Sequence, residues 1–131
     1  MFQPEEKFST SFLVSDAVYN GFVTVFKDTN PLHTDEAFAK QKGFYGKVMH
    51  GNILNGFLSF FIGECLPEKN VIIHSQEIQF KNPVYLNDTV HLNAVVSGLY
   101  ESVGVVEFKF DFRNMENKVV AKGKIQIGLL P

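Results

Sequence analysis

Residues 51–66 read Gly51-Asn52-Ile53-Leu54-Asn55-Gly56-Phe57-Leu58-Ser59-Phe60-Phe61-Ile62-Gly63-Glu64-Cys65-Leu66. Apolar side chains cover most sides of this run at helical spacing, the pattern of a helix buried within a fold. At about 100° per residue, Asn52, Gly56, Ser59 and Gly63 fall within an arc of roughly 60°. That small, polar stripe is where a strand, a second helix or a ligand can come close, and tight packing at the two glycines accounts for it equally well. The strongly apolar part, Ile53 to Ile62, is too short to span a bilayer.

On the C-terminal side, Pro67-Glu68-Lys69-Asn70 breaks the helix and the periodicity changes to two. Val71 to Phe80 is one long extended run, ended by Asn82-Pro83. Thr89 to Val96 places Val90, Leu92, Ala94 and Val96 on one face. Val103 to Arg113 places Val106, Phe108, Phe110 and Phe112 inward, against Glu107, Lys109 and Asp111. A turn at Asn114-Met115-Glu116-Asn117 leads into Lys118 to Ile127, where Val119, Ala121, Ile125 and Ile127 share a face. Such alternation describes a sheet with one buried and one wetter face.

On the N-terminal side, Lys7 to Val14 reads as a first strand. Ser15 is an N-cap, with Asp16 in the first turn and Val18, Phe22, Val25 and Phe26 at helical spacing. That helix ends near Pro31, which disfavours helical geometry at Asn30. A short second helix covers Asp35 to Gln41, capped by Thr34 or Asp35. The order is strand, helices, buried helix, four strands. It predicts a single α+β domain over residues 1–131, an antiparallel sheet packed around one central helix.

The composition suits this: 131 residues with 45% hydrophobic and 20% charged side chains describe a globular chain. Fourteen phenylalanines and no tryptophan suggest a phenylalanine-rich core, or an apolar tunnel for a lipid-like chain. A net charge of −2 without a run of Lys or Arg argues against nucleic acid. The single cysteine, Cys65, excludes an internal disulfide framework and suits a reducing cytosol; its apolar neighbours predict a buried, inert thiol. The acidic start Met1-Phe2-Gln3-Pro4-Glu5-Glu6 does not resemble a signal peptide. A protein off the membrane, in the cytoplasm, is expected.

Chemistry concentrates at Asp28-Thr29-Asn30-Pro31-Leu32-His33, which sets a carboxylate and an imidazole five residues apart across a proline. Taken alone, this is also a turn in which Asp and Asn bond to their own backbone. Seventeen residues further on, His50-Gly51 opens the apolar helix. A carboxylate and a histidine facing a helix N-terminus can hold a water molecule beside a polarised carbonyl. His50 reads as a catalytic group or, more in keeping with its place, as a structural hydrogen-bonding group at the helix start, and His74 and His91 read as ordinary strand residues. His33-Thr34-Asp35 offers two metal ligands but no third at suitable spacing. Neither a metal nor a cofactor is expected.

The stretch from Asp28 to Ala37 resembles the signature of the MaoC-like, or (R)-specific enoyl-CoA hydratase, family. That pattern is Asp-x-Asn-Pro-(aliphatic)-His followed by a small residue. Two further elements match in order: Val48-Met49-His50-Gly51 with Ser59 beyond it, and Pro83-Val84 with Asp88 and Val90. The resemblance implies a hot-dog fold in which a sheet wraps a long helix and two subunits pair as a homodimer. It also implies reversible hydration of a trans-2-enoyl thioester, on coenzyme A or on acyl carrier protein, to an (R)-3-hydroxyacyl thioester. By the same resemblance Asp28 and His33 handle the water and the Gly51 N–H receives the thioester oxygen. Asn30 and Ser59 line the site.

The chain departs from the family pattern in two places. Phe26-Lys27 stands where a small residue, often Ser and then Gly, precedes the aspartate. Asn87 stands for the usual glycine before Asp88, and asparagine tolerates the left-handed conformation. Lys40, Lys42 and Lys47 lie between the two motifs, where they either meet phosphates or stay solvated. Competing readings are a hot-dog thioesterase, whose carboxylate belongs on the long helix where only Glu64 is acidic, and a non-catalytic acyl-binding subunit of a hetero-oligomer.

Overall fold

The computed structural model describes all residues, 1–131. The chain runs β1 (Lys7–Leu13), α1 (Asp16–Phe26), α2 (Pro31–Thr34), α3 (Glu36–Gln41), α4 (Asn52–Phe60), β2 (Val71–Phe80), β3 (Thr89–Tyr100), β4 (Val105–Arg113) and β5 (Val119–Leu129). The five strands form one antiparallel sheet in the order β1-β3-β4-β5-β2. The architecture is α+β, as the periodicity predicts.

Alternation decides which sheet face is buried. Val90, Leu92, Ala94 and Val96 of β3 join Val106, Phe108, Phe110 and Phe112 of β4 in the core, with Ile53, Leu54 and Leu58 of α4 packed on them. Phe2, from the N-terminal segment, closes one end of the core. It packs edge-to-face on Phe108 at 5.8 Å, and Phe61 meets the same ring at 6.0 Å. Much of the phenylalanine excess is therefore core. Phe22, Phe44 and Phe80 instead line a cleft described below.

Several boundaries differ from expectation for identifiable reasons. The buried helix is α-helical only to Phe60; Phe61–Cys65 is a π turn, which widens the spiral by one residue before Pro67. This swings Cys65 out to solvent, so the thiol is exposed and not buried. Strand β3 continues four residues past Val96, across a bulge near Ser97. A 3-10 turn at Glu101–Val103 delays β4 to Val105. In β5 a bulge between Phe112 and Arg113 of the partner strand puts Val120, not Val119, in the core. Gly123 sits where β5 passes between β4 and β2, and a Cβ there would overlap the main-chain carbonyl of Glu77 and meet the Phe110 ring.

Of the helices before α4, α1 packs against it, and α2 and α3 pack against each other. Ser15 caps α1 through Val18 N–H, as expected. Only Tyr19 of α1 is fully buried; Val25 and Phe26 are exposed, contrary to the face drawn from spacing. Lys27 then adopts the left-handed conformation (φ 60°), its N–H returning to Val23. Asn87, at φ 69°, likewise takes the conformation expected of it. No helix is long and apolar enough to cross a membrane.

Candidate active site

Pro31 begins α2 but does not end α1, which stops earlier, at Phe26, on the left-handed Lys27. Asn30 is extended and caps α2, its side chain accepting the Leu32 N–H at 3.0 Å, with Pro31 in the first turn where its missing N–H costs nothing. The Asn30 N–H donates to Asp28 Oδ1 at 3.1 Å, which fixes that carboxylate against its own turn. The local turn chemistry and the paired groups thus coexist: one Asp28 oxygen serves the turn and the other makes no hydrogen bond within the chain.

The one-turn helix is too short to hold His33 steady, so neighbouring segments do so. Tyr19 of α1 donates its hydroxyl to the His33 carbonyl at 2.6 Å. The Val48 N–H donates to Leu32 at 3.1 Å, and Met49 N–H to Val84 at 2.8 Å, linking three loops. The His33 ring completes the set, its Nδ1 lying 2.7 Å from the Val48 carbonyl. A carbonyl can only accept, so Nδ1 carries the hydrogen and Nε2 presents the lone pair. The fold has selected the tautomer that a general base at Nε2 needs.

Asp28, His33 and His50 bring one side-chain atom each within 4.8 Å of one another. Two hydrogen bonds meeting at one water molecule span about 4.5 Å, a separation of the same order, over which one water can bridge a carboxylate and an imidazole. His50 supplies the third group that spacing did not, yet the trio is ill-suited to a metal. The His50 and His33 rings stack, with centroids 4.0 Å apart and planes 29° from parallel. His50 Nε2 is also engaged with the Asp28 carbonyl, at 2.9 Å.

These groups border a cleft of about 470 Å³. Its floor is the start of α4, where the Gly51 N–H makes no hydrogen bond within the chain and no side chain caps the helix. A free N–H at a helix N-terminus is a ready donor to a developing oxyanion. Gly51 itself has ordinary helical angles (φ −57°), so its need for glycine is spatial: a Cβ would sit 2.8 Å from the Phe80 ring. Phe80 and Lys81 line the cleft and were not singled out in the sequence; Phe80 is the last residue of β2 and Lys81 follows it, beside the Asn82-Pro83 break. Lys40, Lys42 and Lys47 do not line it; Lys42 lies over Phe38 and Lys47 over Tyr19.

Asn30 and Ser59 do not border this cleft. Asn30 is engaged in capping, and Ser59 lies exposed on the stripe with Asn52, Gly56 and Gly63. A second, largely apolar groove of about 880 Å³ runs between α1 and α4 along that side, past Phe26 and Gly56. Asp28, Phe22, Asn52 and Ile53 border both spaces.

The chain is 33% identical to an (R)-specific enoyl-CoA hydratase of Rhodospirillum rubrum, over 81% of this chain and 73% of the relative. It is 38% identical to an (R)-specific enoyl-CoA hydratase of Aeromonas caviae, over 61% of this chain and 60% of that one. Among solved structures, the A. caviae (R)-hydratase superposes with a TM-score of 0.90 at 27% identity, covering 98% of both chains. The fold is therefore the hot-dog fold, and these curated relatives are hydro-lyases. Residues 2–120 match the model of the MaoC like domain, and the chain belongs to that family.

Proposed function

We propose that this protein hydrates trans-2-enoyl thioesters reversibly to (R)-3-hydroxyacyl thioesters, with Asp28 and His33 as the catalytic pair. One observation carries the assignment. The His33 Nδ1–H is committed to the Val48 carbonyl, leaving Nε2 as a base, and a ring nitrogen of His33 lies within 4.8 Å of an Asp28 carboxylate that keeps one oxygen free of other bonds. In the forward direction the pair takes a proton from the held water as its oxygen bonds to C3. The alkene electrons shift toward the thioester carbonyl, and a proton is then delivered to C2. Positioned acid–base groups contribute about 10²–10⁴-fold. The Gly51 N–H is the donor to the thioester oxygen, a role whose loss elsewhere costs roughly 3–4 kcal/mol.

The groove between α1 and α4 supports an acyl chain running from Asp28 past Asn52 to Gly56 and Phe57, while Ser59, one turn further along α4, borders neither space. Phe26, exposed at the end of α1 and packed on Phe22 at 4.8 Å, stands on the wall of that groove. The carrier is coenzyme A or acyl carrier protein. Pairing with a second copy is supported by the position of β2 at one edge of the sheet, with Ile72 and Ile73 exposed on it. An unpaired cysteine fits a cytoplasmic setting. The thioesterase alternative finds no support, because Glu64 lies in the π turn, bridged to Lys69 at 3.7 Å, and does not border the cleft.

The test is loss of conjugated-alkene absorbance with short and medium trans-2-enoyl-CoA and with carrier-linked substrate. Wild type is compared with Asp28→Asn and His33→Ala, and each substitution is expected to lower kcat by about 10²–10⁴-fold. Hydration surviving both substitutions overturns the mechanism. Thiol release without hydration identifies a thioesterase, and tight acyl-CoA binding without turnover identifies a binding subunit.

A further inference from the structure

We propose that His50 is a positioning residue that sets the spacing of the Asp28–His33 pair, holding Asp28 through its main chain and His33 through its ring. The inference rests on the hydration reading above and concerns a side chain to which that reading assigns no step.

His50 is only 4% exposed, yet it is not an ordinary core side chain. Its Nε2 lies 2.9 Å from the Asp28 carbonyl, which can only accept, so Nε2 carries the ring hydrogen. The lone pair is left on Nδ1, which is buried without a hydrogen-bond partner. A buried acceptor with no donor is unfavourable, and phenylalanine would fill the same aromatic surroundings without that defect. What the histidine supplies there, and phenylalanine cannot, is the Nε2–H.

That hydrogen bond falls where the chain needs it. Asp28 follows the left-handed Lys27 at the loose end of α1, and its carboxylate is otherwise restrained only by the Asn30 N–H two residues away. The bond from His50 is the one that ties Asp28 to a segment distant in sequence. The opposite restraint comes from the ring. It stacks on His33 at 4.0 Å and is backed by Phe22 at 4.6 Å, so His33 cannot tilt toward it. One imidazole, fixed at the start of α4, thus touches both members of the pair and references them to the helix whose Gly51 N–H receives the carbonyl.

Two substitutions separate the contacts. His50→Phe keeps a stacking ring and removes both the donor and the orphaned acceptor. His50→Gln keeps an N–H donor near the Nε2 position and loses the ring. The measurements are kcat and KM for trans-2-enoyl-CoA hydration, together with Tm. We expect His50→Phe to keep its Tm and a KM within about twofold, while kcat falls by at least about tenfold, since displacement of a reacting group by 1 Å can cost about 10²-fold. His50→Gln is expected to recover part of that kcat even at a lower Tm. An unchanged kcat in His50→Phe overturns the proposal. So does a loss confined to Tm in both variants, which is the mark of a purely structural side chain. If His50→Phe does not fold, His50→Gln decides: turnover nearer to wild type than to His50→Leu supports the proposal, and turnover no better than His50→Leu overturns it. A wild type that hydrates no enoyl thioester refutes the underlying reading instead, so the two failures are distinguishable.

Discussion

Replacing Tyr19 by phenylalanine removes one atom, the hydroxyl that donates to the His33 carbonyl at 2.6 Å. Tyr19 is buried and its ring keeps its neighbours in the variant, so no cavity of consequence opens. The loss is one short hydrogen bond plus a partly buried carbonyl left without its donor, about 1–2 kcal/mol together. For a domain of this size that corresponds to a fall in Tm of roughly 3–8 °C. The catalytic effect should be smaller than that of removing His33, because two restraints survive: the Nδ1–H bond to Val48 at 2.7 Å and the Val48–Leu32 main-chain bond at 3.1 Å. We expect kcat to fall several-fold, to about tenfold at most, with KM held, since the ring relaxes in place without leaving the cleft. Urea or thermal unfolding gives the first quantity and enoyl-CoA hydration the second. A variant as stable as wild type within about 0.5 kcal/mol refutes the reasoning. A kcat loss as deep as that of His33→Ala refutes the claim that Val48 holds the ring.

Lys27→Gly should raise stability by up to about 1 kcal/mol, because glycine takes the left-handed conformation at the end of α1 without a Cβ penalty; chemical denaturation checks it, and a loss of stability contradicts it. Gly123→Ala should destabilise by about 2–4 kcal/mol, since the new Cβ meets Glu77 main chain, which cannot swing aside as a side chain can; Tm is the readout. Gly51→Ala should leave stability nearly unchanged but lower kcat/KM by crowding the Phe80 ring, which is 52% exposed and free to move into the cleft. In a double-mutant cycle, Gly51→Ala should then have little effect once Phe80→Ala has been introduced.

The parts of the fold governed by a regular period were legible in the sequence. Alternation located the inward residues of β3 and β4, and Ser15 and Asp35 announced the starts of their helices. What escaped were departures from period, where one extra residue shifts every side chain after it. The π turn exposed Cys65, and the bulge in β5 exchanged Val119 for Val120. At the site, the motif carried Asp28, His33 and Gly51, because these are side chains or a helix start that spacing can reach. Tyr19, Lys81 and the stacking of His50 on His33 lie outside the motif's own pattern. They meet it only when three loops are brought together by main-chain bonds between Val48 and Leu32 and between Met49 and Val84.

The orientation of both imidazoles comes from carbonyls of the backbone, Val48 for His33 and Asp28 for His50. No point substitution deletes a carbonyl, so Val48 is free to drift among side chains of similar size without disturbing the tautomer it selects. Insertion or deletion of one residue between positions 33 and 48, by contrast, slides a different carbonyl under the ring or none at all. The reactive geometry is thus tolerant of changes in letter and intolerant of changes in loop length. Descendants of this chain would keep the gap between their two histidine motifs even as the residues inside it diverge.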